Sequence, residues 1–207
     1  SAVARSGRRR VGERGSDGDK PTRVGLGPYI RAHADTLPAI AVFPQAPDGS
    51  DWKGVAAEIA FAALDAATGE FGGDRDRSYL TGLSMGGYGT WELALMQPRR
   101  FAALVPVCGG LTAPREDRDL AVTPLRDESD PPAALAQRLK HVPVWIFHGA
   151  KDDVVPPRED RLIDAAFRAA GGDVRYTEFP DANHNSWDPA YSQTPKLWTW
   201  LFSQRRR

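Results

Sequence analysis

Short apolar segments alternate with longer helical patterns along most of this 207-residue chain, and this alternation restricts the fold more than any other feature. Segments of strand composition are predicted at 39–44, 78–84, 101–108, 143–149 and 174–179. Helices are predicted at 55–68, 87–97, 135–139, 158–172 and 195–204. Strands separated by helices of about 10 to 15 residues form βαβ units, in which a parallel sheet is covered by helices on both faces. The sequence therefore predicts an α/β fold.

Two segments between these elements have their own predicted character. The helix at 55–68 carries Val55, Ile59 and Leu64, which are available to form one apolar face. Residues 109–132 are polar and rich in proline, and they are predicted to be the longest irregular segment. The length is that of one domain, and no internal repeat divides the chain.

The charges balance, which limits the kinds of partner. Lys and Arg number 27, and Asp and Glu also number 27, so the formal net charge is zero. A protein without a net positive field has no general attraction to polyanions. The arginine runs at 8–10 and 205–207 lie at the chain ends without interleaved aromatic residues, and we interpret them as solvated tails. No nucleic-acid partner is predicted.

Cysteine content and hydropathy bear on the compartment. Cys108 is the single cysteine, so an internal disulfide is excluded, and its place after the apolar residues 101–107 predicts a buried side chain. No run approaches the roughly 18 consecutive apolar residues of a membrane-spanning helix. The N-terminal residues lack the apolar core of a secretion signal. We expect no membrane span and a cytoplasmic protein as the sequence stands; the alternative is a signal lost from the N-terminus.

Residues 82–86, Gly-Leu-Ser-Met-Gly, match the pattern G-x-S-x-G between a predicted strand and a predicted helix. There the serine lies at the tip of a sharp turn, and the flanking glycines allow close approach of the backbone. The helix directs its N-terminal dipole at developing negative charge. The alternative is a glycine-rich turn with an incidental serine, but the strand and the helix both favour a nucleophilic Ser84.

A serine hydroxyl is a weak nucleophile until a base takes its proton and a third group orients that base. After such a turn, the acid and the histidine follow in that order, each on a loop after a later strand. The strand at 143–149 leads to Asp152 and Asp153, and the strand at 174–179 leads to His184. His184 is predicted to be the base, and either aspartate fits as the acid.

The other histidines fit the role of base less well. His33 precedes the first strand, and His141 connects a helix to a strand. His148 lies inside a glycine turn, where a structural hydrogen bond is expected instead of catalysis.

Together these segments resemble the α/β-hydrolase superfamily, and within it the phospholipase/carboxylesterase and prolyl-oligopeptidase-like esterases, including "predicted peptidase" members. The similarity covers residues 12–203. It is carried by RSYLTGLSMGGYGTWELA, VWIFHGAKDDVVP, PDANHNSWDPAY and AVFPQAP. The family pattern H-G-x-x-D-x-x-V-P places the acid at Asp152, with Asp153 as its neighbour. A serine in the turn at 82–86 argues against the dienelactone hydrolases, which have a cysteine at that position.

The resemblance implies hydrolysis of a small-molecule carboxylic ester. Ser84 would attack the carbonyl, His184 would take and return the proton, and Asp152 would hold the imidazolium. The oxyanion would be held by the backbone N–H groups of Met85 and Val11. No cofactor is implied, and no metal is expected because the spacing is not that of zinc ligands.

Residues flanking the triad are candidates for the substrate-binding wall. They are Gln45, Tyr88, Trp187 and the irregular segment from Gly110 to Pro132. The natural ester and the oligomeric state are left open by the sequence.

The N-terminus departs from the family pattern. The family has an apolar strand ending in H-G-x-G-E-R-G; GERG is present at 12–15, but Arg9 and Arg10 stand at the His-Gly positions. We hypothesise that residues 1–11 are irregular or non-native and that residues 12–207 form an N-terminally truncated α/β-hydrolase domain. The missing strand would lie between those at 39–43 and 78–84, and Val11 would then be a misplaced oxyanion donor.

Two other functions stay open. The same three residues also cleave amides, so a serine peptidase of the prolyl-oligopeptidase-like type is one alternative. The second is a truncated, catalytically impaired protein that keeps the hydrolase fold and only binds. The N-terminal segment is the feature that favours this second alternative over an active hydrolase.

Overall fold

The computed structural model describes residues 13–116 and 119–206, and these form a parallel sheet packed between helices. The sheet has the order β1-β2-β3-β4, with every adjacent pair parallel. Its strands are β1 Tyr79–Leu83, β2 Ala103–Val107, β3 Val144–Gly149 and β4 Val174–Phe179. The helices are α1 Leu26–Ala32, α2 Gly54–Glu70, α3 Met85–Met96, α4 Pro131–Leu139, α5 Arg158–Ala169, α6 Trp187–Ser192 and α7 Pro195–Ser203. The predicted α/β class is confirmed.

Both faces of the sheet are covered because strands β2 and β3 are apolar on both sides. Every residue of these two strands is buried. On one face Leu104 and Ile146 pack against α3, α4 and α5, and on the other Val105 and Phe147 pack against α6 and α7. This two-sided burial is why the strands have near-continuous hydrophobic sequences instead of alternating ones.

Helix α2 forms as predicted, and the prediction of its apolar face is correct for Leu64, which packs against the core, but wrong for Val55 and Ile59. Val55 and Ile59 are 67% and 41% exposed, and the buried face consists of Ala56, Ala57 and Ala60. Ala57 and Ala60 pack on Leu93 of α3. Small side chains let the two helices approach closely, so packing favours the alanine face over the larger residues.

The strand predicted at 39–44 is absent, and this prediction is wrong. Residues 39–41 are exposed, with Ile40 at 44%, and the segment is not assigned to the sheet. A cavity of about 850 Å³ separates it from β1, lined mainly by apolar side chains of this segment, α2, α3 and β1. A strand needs a neighbour about 4.8 Å away to pair with. The residues that the resemblance places between the two, 1 to 10, lie outside the described part of the chain.

The irregular segment after β2 is partly buried, although it contains little regular structure. Leu111, Leu120, Val122 and Leu125 belong to the core, and Thr123–Leu125 form a single 3-10 turn. The buried Glu92 carboxylate of α3 accepts the Thr123 backbone N–H at 2.6 Å. The segment is therefore fixed against the sheet at several points. Among the residues that the structure describes, no helix is long and apolar enough to cross a bilayer.

Candidate active site

Ser84 lies at the turn between β1 and α3, in a backbone conformation that non-glycine residues rarely adopt. Its φ and ψ are 52° and −117°. Such strain persists only where the surroundings fix it, and here the Ser84 N–H donates to the Val107 carbonyl at 2.9 Å. The turn holds the side chain at the carboxyl end of the sheet. This is the local geometry that the G-x-S-x-G pattern predicts.

Two glycines allow the backbone to approach itself closely at this end of the sheet. A Cβ on Gly82 would lie 2.2 Å from the Gly86 carbonyl oxygen. A Cβ on Gly149, the last residue of β3, would lie 2.1 Å from the Asn183 carbonyl oxygen. The second contact brings the loop that carries His184 against the end of β3. Neither position has space for a side chain.

The side chains of Ser84, His184 and Asp152 form one chain of hydrogen bonds. The His184 Nε2 atom is 2.9 Å from Ser84 Oγ, and His184 Nδ1 is 2.7 Å from Asp152 Oδ2. The Asp152 side chain is completely buried and that of His184 is 18% exposed. The structure thus brings together the three residues that the sequence singled out. This series of hydrogen bonds is therefore partly accessible to solvent at His184 and fully buried at Asp152.

Asp152 and its neighbour Asp153 have opposite surroundings. Asp152 Oδ1 accepts the backbone N–H groups of Val154 and Val155 at 2.9 and 3.0 Å. Burial alone would raise the pKa of Asp152, but hydrogen bonds from His148 and His184 outweigh burial and hold it well below its usual value. Asp153 is exposed. The geometry therefore favours Asp152 as the orienting acid.

His148 extends the chain of hydrogen bonds beyond Asp152. Its Nε2 atom is 3.2 Å from Asp152 Oδ2 and 2.8 Å from the Val155 carbonyl oxygen, and its Nδ1 atom is 2.6 Å from Asp160 Oδ2. The side chains of all three ionisable residues have 0% exposure. The structural hydrogen bond expected of His148 is present. Its partner Asp160 was not predicted. An acidic residue in the first turn of α5 is already explained by its favourable interaction with the helix dipole.

Cys108 directly follows β2 and is fully buried, as expected. Burial raises the pKa of its thiol far above the usual value. Its Sγ atom and ligand atoms of Asp152 and His184 lie within 4.8 Å of one another, and this is the single metal-ligand grouping of that kind in the described residues. Asp152 and His184 are hydrogen-bonded to each other, and His184 also contacts Ser84. The grouping therefore coincides with the Ser84 site.

The three candidate substrate residues occupy different environments. The Trp187 ring stands edge-on to His184, with centroids 5.6 Å apart. Tyr88 is 3% exposed and donates its hydroxyl to the Thr112 carbonyl at 3.0 Å. The Gln45 amide donates to the Glu13 carbonyl at 3.0 Å and accepts the Gly18 N–H at 2.8 Å. Trp187 alone adjoins the hydrogen-bonded chain, whereas Tyr88 and Gln45 fix neighbouring loops.

Glu159, which the sequence did not indicate, fixes the loop after β2. Its carboxylate accepts the backbone N–H groups of Leu111 and Thr112 at 2.7 and 3.1 Å, and it also binds the Thr112 hydroxyl. Together with the Tyr88 hydroxyl, these bonds hold residues 110–112 in place. Glu159 directly precedes Asp160 in the first turn of α5, so adjacent acids of one helix stabilise two separate parts of the site.

The predicted oxyanion donors are only partly placed. Met85 is the first residue of α3, where backbone N–H groups have no partner within the helix. Its N–H is therefore available beside Ser84. Val11 lies outside the described residues. Among the described residues that follow it, Gly15 donates its N–H to the Ala46 carbonyl at 3.0 Å.

Comparison with known proteins places the chain in a family. Residues 49–204 match the prolyl oligopeptidase family, Peptidase S9. A thermostable esterase of known structure superposes with a TM-score of 0.72 at 30% identity, over 94% of this chain and 52% of that chain. An acylaminoacyl peptidase of Pyrococcus horikoshii superposes with a TM-score of 0.56 at 19% identity, over 70% of this chain and 27% of that chain, and this likeness is one of fold alone.

One curated relative is an uncharacterized secreted protein of the fungus Arthroderma benhamiae. It is 30% identical over 115 residues, which cover 51% of this chain and 12% of the fungal protein. The chain thus spans about half the length of the esterase and a small part of the fungal relative. Because the family match covers well over half of the chain and the fold is that of the α/β-hydrolase esterases, the chain belongs to the prolyl oligopeptidase family of hydrolases.

Proposed function

We propose that the protein hydrolyses carboxylic esters through Ser84, His184 and Asp152, with an acyl-enzyme intermediate. The observation that carries the proposal is the unbroken hydrogen-bonded chain from Ser84 Oγ through His184 to Asp152. A nucleophile, a base and an orienting acid within hydrogen-bonding distance are the requirements of serine acyl transfer. The family of the chain is one of hydrolases, which agrees with this chemistry.

In the first half of the reaction, Ser84 Oγ attacks the ester carbonyl carbon while His184 Nε2 takes the hydroxyl proton. Asp152 accepts the His184 Nδ1–H and stabilises the imidazolium. The tetrahedral intermediate collapses, the carbon–oxygen bond to the alcohol breaks, and His184 gives its proton to the departing alkoxide. In the second half, water attacks the acyl-serine with His184 again as base, which releases the acid and restores Ser84.

The negative charge on the carbonyl oxygen needs donors that are already in place. The Met85 N–H at the start of α3 is the first donor, and the positive end of the helix dipole adds to it. A second N–H is expected from Val11, which the resemblance indicates and which lies outside the described residues. Loss of one such donor costs about 10²- to 10³-fold in kcat. The rate of hydrolysis therefore depends on the second donor as well as on Ser84, His184 and Asp152.

Peptide hydrolysis is the second candidate, and the family match favours it as directly as it favours ester hydrolysis. The acylaminoacyl peptidase of P. horikoshii shares the fold, and the thermostable esterase shares the fold at higher sequence identity. An ester is the easier substrate because an alkoxide leaves more readily than an amine. We therefore assign esters as the preferred substrates.

The first experiment labels the purified protein with a fluorophosphonate probe, which reacts with activated serines. We expect labelling that Ser84→Ala abolishes and that Ser192→Ala, on the exposed side of α6, leaves unchanged. Parallel assays with nitrophenyl esters and peptide anilides then separate the two substrates. Faster turnover of anilides would overturn the ester assignment, and an unlabelled wild-type protein would favour the impaired, binding-only alternative.

A further inference from the structure

The Asp152 carboxylate has two partners on the oxygen that holds His184. Asp152 Oδ2 lies 2.7 Å from His184 Nδ1 and 3.2 Å from His148 Nε2. The other oxygen is occupied by two backbone N–H groups. A carboxylate with donors on both oxygens cannot rotate without losing hydrogen bonds in a buried site. His148 supplies the contact on Oδ2 that His184 leaves free.

The proton positions on His148 follow from its acceptors. The Val155 carbonyl oxygen, 2.8 Å from Nε2, can only accept, so Nε2 carries a hydrogen that also faces Asp152. The Nδ1 atom and Asp160 Oδ2, 2.6 Å apart, share a second proton. Whether that proton belongs to the imidazole or to the carboxyl group, Nε2 remains a donor. Asp160 therefore fixes the tautomer that Asp152 requires.

Burying this pair costs free energy that apolar packing would avoid. The His148 and Asp160 side chains have 0% exposure, and Asp160 Oδ1 has no hydrogen-bond partner in the described structure. Well-packed apolar residues often replace buried ion pairs without loss of stability. Residues 144–147, which precede His148 in β3, are apolar. A polar pair at the end of this strand is therefore better explained by its contact with Asp152 than by packing.

The ionisation of the pair agrees with this geometry. Burial lowers the pKa of His148, but the hydrogen bonds to Asp152 and Asp160 outweigh it and raise the pKa to about 10. Burial also raises the pKa of Asp160. Both shifts keep the shared proton on the pair at neutral pH. The other ionisable groups that act on these residues are Tyr88, Cys108, Glu159, Tyr176, Glu178 and His184.

We propose that His148 is a positioning residue, held by Asp160, which fixes the Asp152 carboxylate and thereby sets the orientation of His184. The proposal rests on the proposed function, because His184 must act as the base. The hydrogen-bonded series then contains five side chains, which are Ser84, His184, Asp152, His148 and Asp160. The last three of them orient His184, the proposed base. His148 and Asp160 do not touch the substrate.

The test compares two replacements of the same imidazole. The amide nitrogen of His148→Gln can reach the Nε2 position and keep the bond to Asp152, whereas that of His148→Asn reaches only the Nδ1 position. Asp160→Asn removes the anchor, and His141→Asn replaces an exposed histidine as control. For each variant, kcat is expressed per fluorophosphonate-titrated site, KM is measured, and kcat/KM is followed against pH.

We expect His148→Asn to lower kcat per titrated site by roughly ten- to a hundredfold with little change in KM, since misplacement by about 1 Å can cost about 10²-fold. Without the His148 donor, the Asp152 carboxylate is more basic, so the acid limb of kcat/KM moves to higher pH. His148→Gln keeps most of the activity, Asp160→Asn falls between the two, and His141→Asn matches the wild type.

The proposal is overturned if His148→Asn keeps the wild-type kcat per titrated site and the wild-type acid limb. It is also overturned if the Asn and Gln variants lose activity equally with an unshifted acid limb, because that pattern shows a purely structural role. A wild-type protein that neither labels nor turns over ester contradicts the proposed function instead. The NMR resonance of the proton between His184 Nδ1 and Asp152 then decides: a shift in His148→Asn supports positioning, and an unchanged resonance overturns it.

Discussion

Strands β1 and β3 both deliver residues to the site, yet they are held in different ways. Strand β3 has a neighbour on each side, and all of its residues are buried. Strand β1 pairs with β2 alone within the described residues, and its residues are only partly buried beside a cavity of about 850 Å³. Asp152 and its supporting network thus follow a fully buried strand, while Ser84 follows a partly buried one. Their alignment depends on contacts at the carboxyl end of the sheet.

The largest expected effect tests the buried network beyond β3. Asp152→Asn should lower kcat by about 10⁴-fold, because an amide cannot hold the tautomer of His184 that the reaction needs. The matched change Asp153→Asn, one residue away on the surface, should leave kcat within about twofold of wild type. Ester turnover under saturating substrate measures both. Equal losses in the two variants would contradict the assignment of Asp152.

Truncations in the two strands test the difference in burial directly. Ile146→Ala in β3 should lower the free energy of unfolding by about 2–5 kcal/mol, because it leaves a cavity in a fully packed core. Leu80→Ala in β1, whose side chain already lines the cavity, should cost about 1 kcal/mol. Urea unfolding measures both values. A similar cost at both positions would show that β1 is as tightly packed as β3.

Two alanine substitutions in the turn around Ser84 test how closely the backbone of β1 packs against that of α3. Gly82→Ala should destabilise the protein by about 1–3 kcal/mol and misplace Ser84, since the new Cβ would lie 2.2 Å from the Gly86 carbonyl oxygen. Gly86→Ala is the control, because its Cβ would meet nothing nearer than Trp52 Nε1 at 3.9 Å. Thermal unfolding and the rate of fluorophosphonate labelling report both effects. Normal labelling of Gly82→Ala would mean that the turn tolerates displacement.

The smallest effect concerns the pH dependence of stability that the network beyond β3 contributes. The folded-state pKa of His148, raised to about 10, exceeds the usual value of about 6.5. The contribution of His148 to the free energy of unfolding is therefore complete below pH 6.5, and it declines as the pH rises toward the folded-state pKa. Between pH 7 and 8, where an unfolded thiol is mostly still protonated, the free energy of unfolding should fall by roughly 1 kcal/mol. His148→Gln should flatten this slope in urea titrations; an equal slope would assign it to other groups.

The sequence predicted the features of this molecule that depend on local pattern. Ser84 was recognisable because glycines and the change from strand to helix surround it in a few residues, and His184 because it follows a strand. The strands at 78–84 and 143–149 form as predicted, the second buried between helices and the first only partly buried. The catalytic roles of these residues are still predictions, which the experiments above test.

Features that depend on distant contacts were not predictable in the same way. The composition of residues 39–44 suits a strand, but pairing needs a neighbour that composition does not reveal. Helix α2 buries alanines instead of Val55 because α3 lies close to it. The role of Asp160 requires knowing that α5 begins beneath the end of β3. In each case the missing information is which surface the residue will face.

The sealed position of Cys108 has a practical consequence for handling the protein. The thiol is fully buried, its pKa is raised by burial, and it is the single cysteine of the chain. The thiolate is the reactive species toward alkylating agents and oxidants. Iodoacetamide should therefore leave the folded protein unmodified while a fluorophosphonate reacts. Reducing agents can be included or omitted in assays without altering the site, and a reactive cysteine can be introduced elsewhere for spectroscopic labels without first removing the native one.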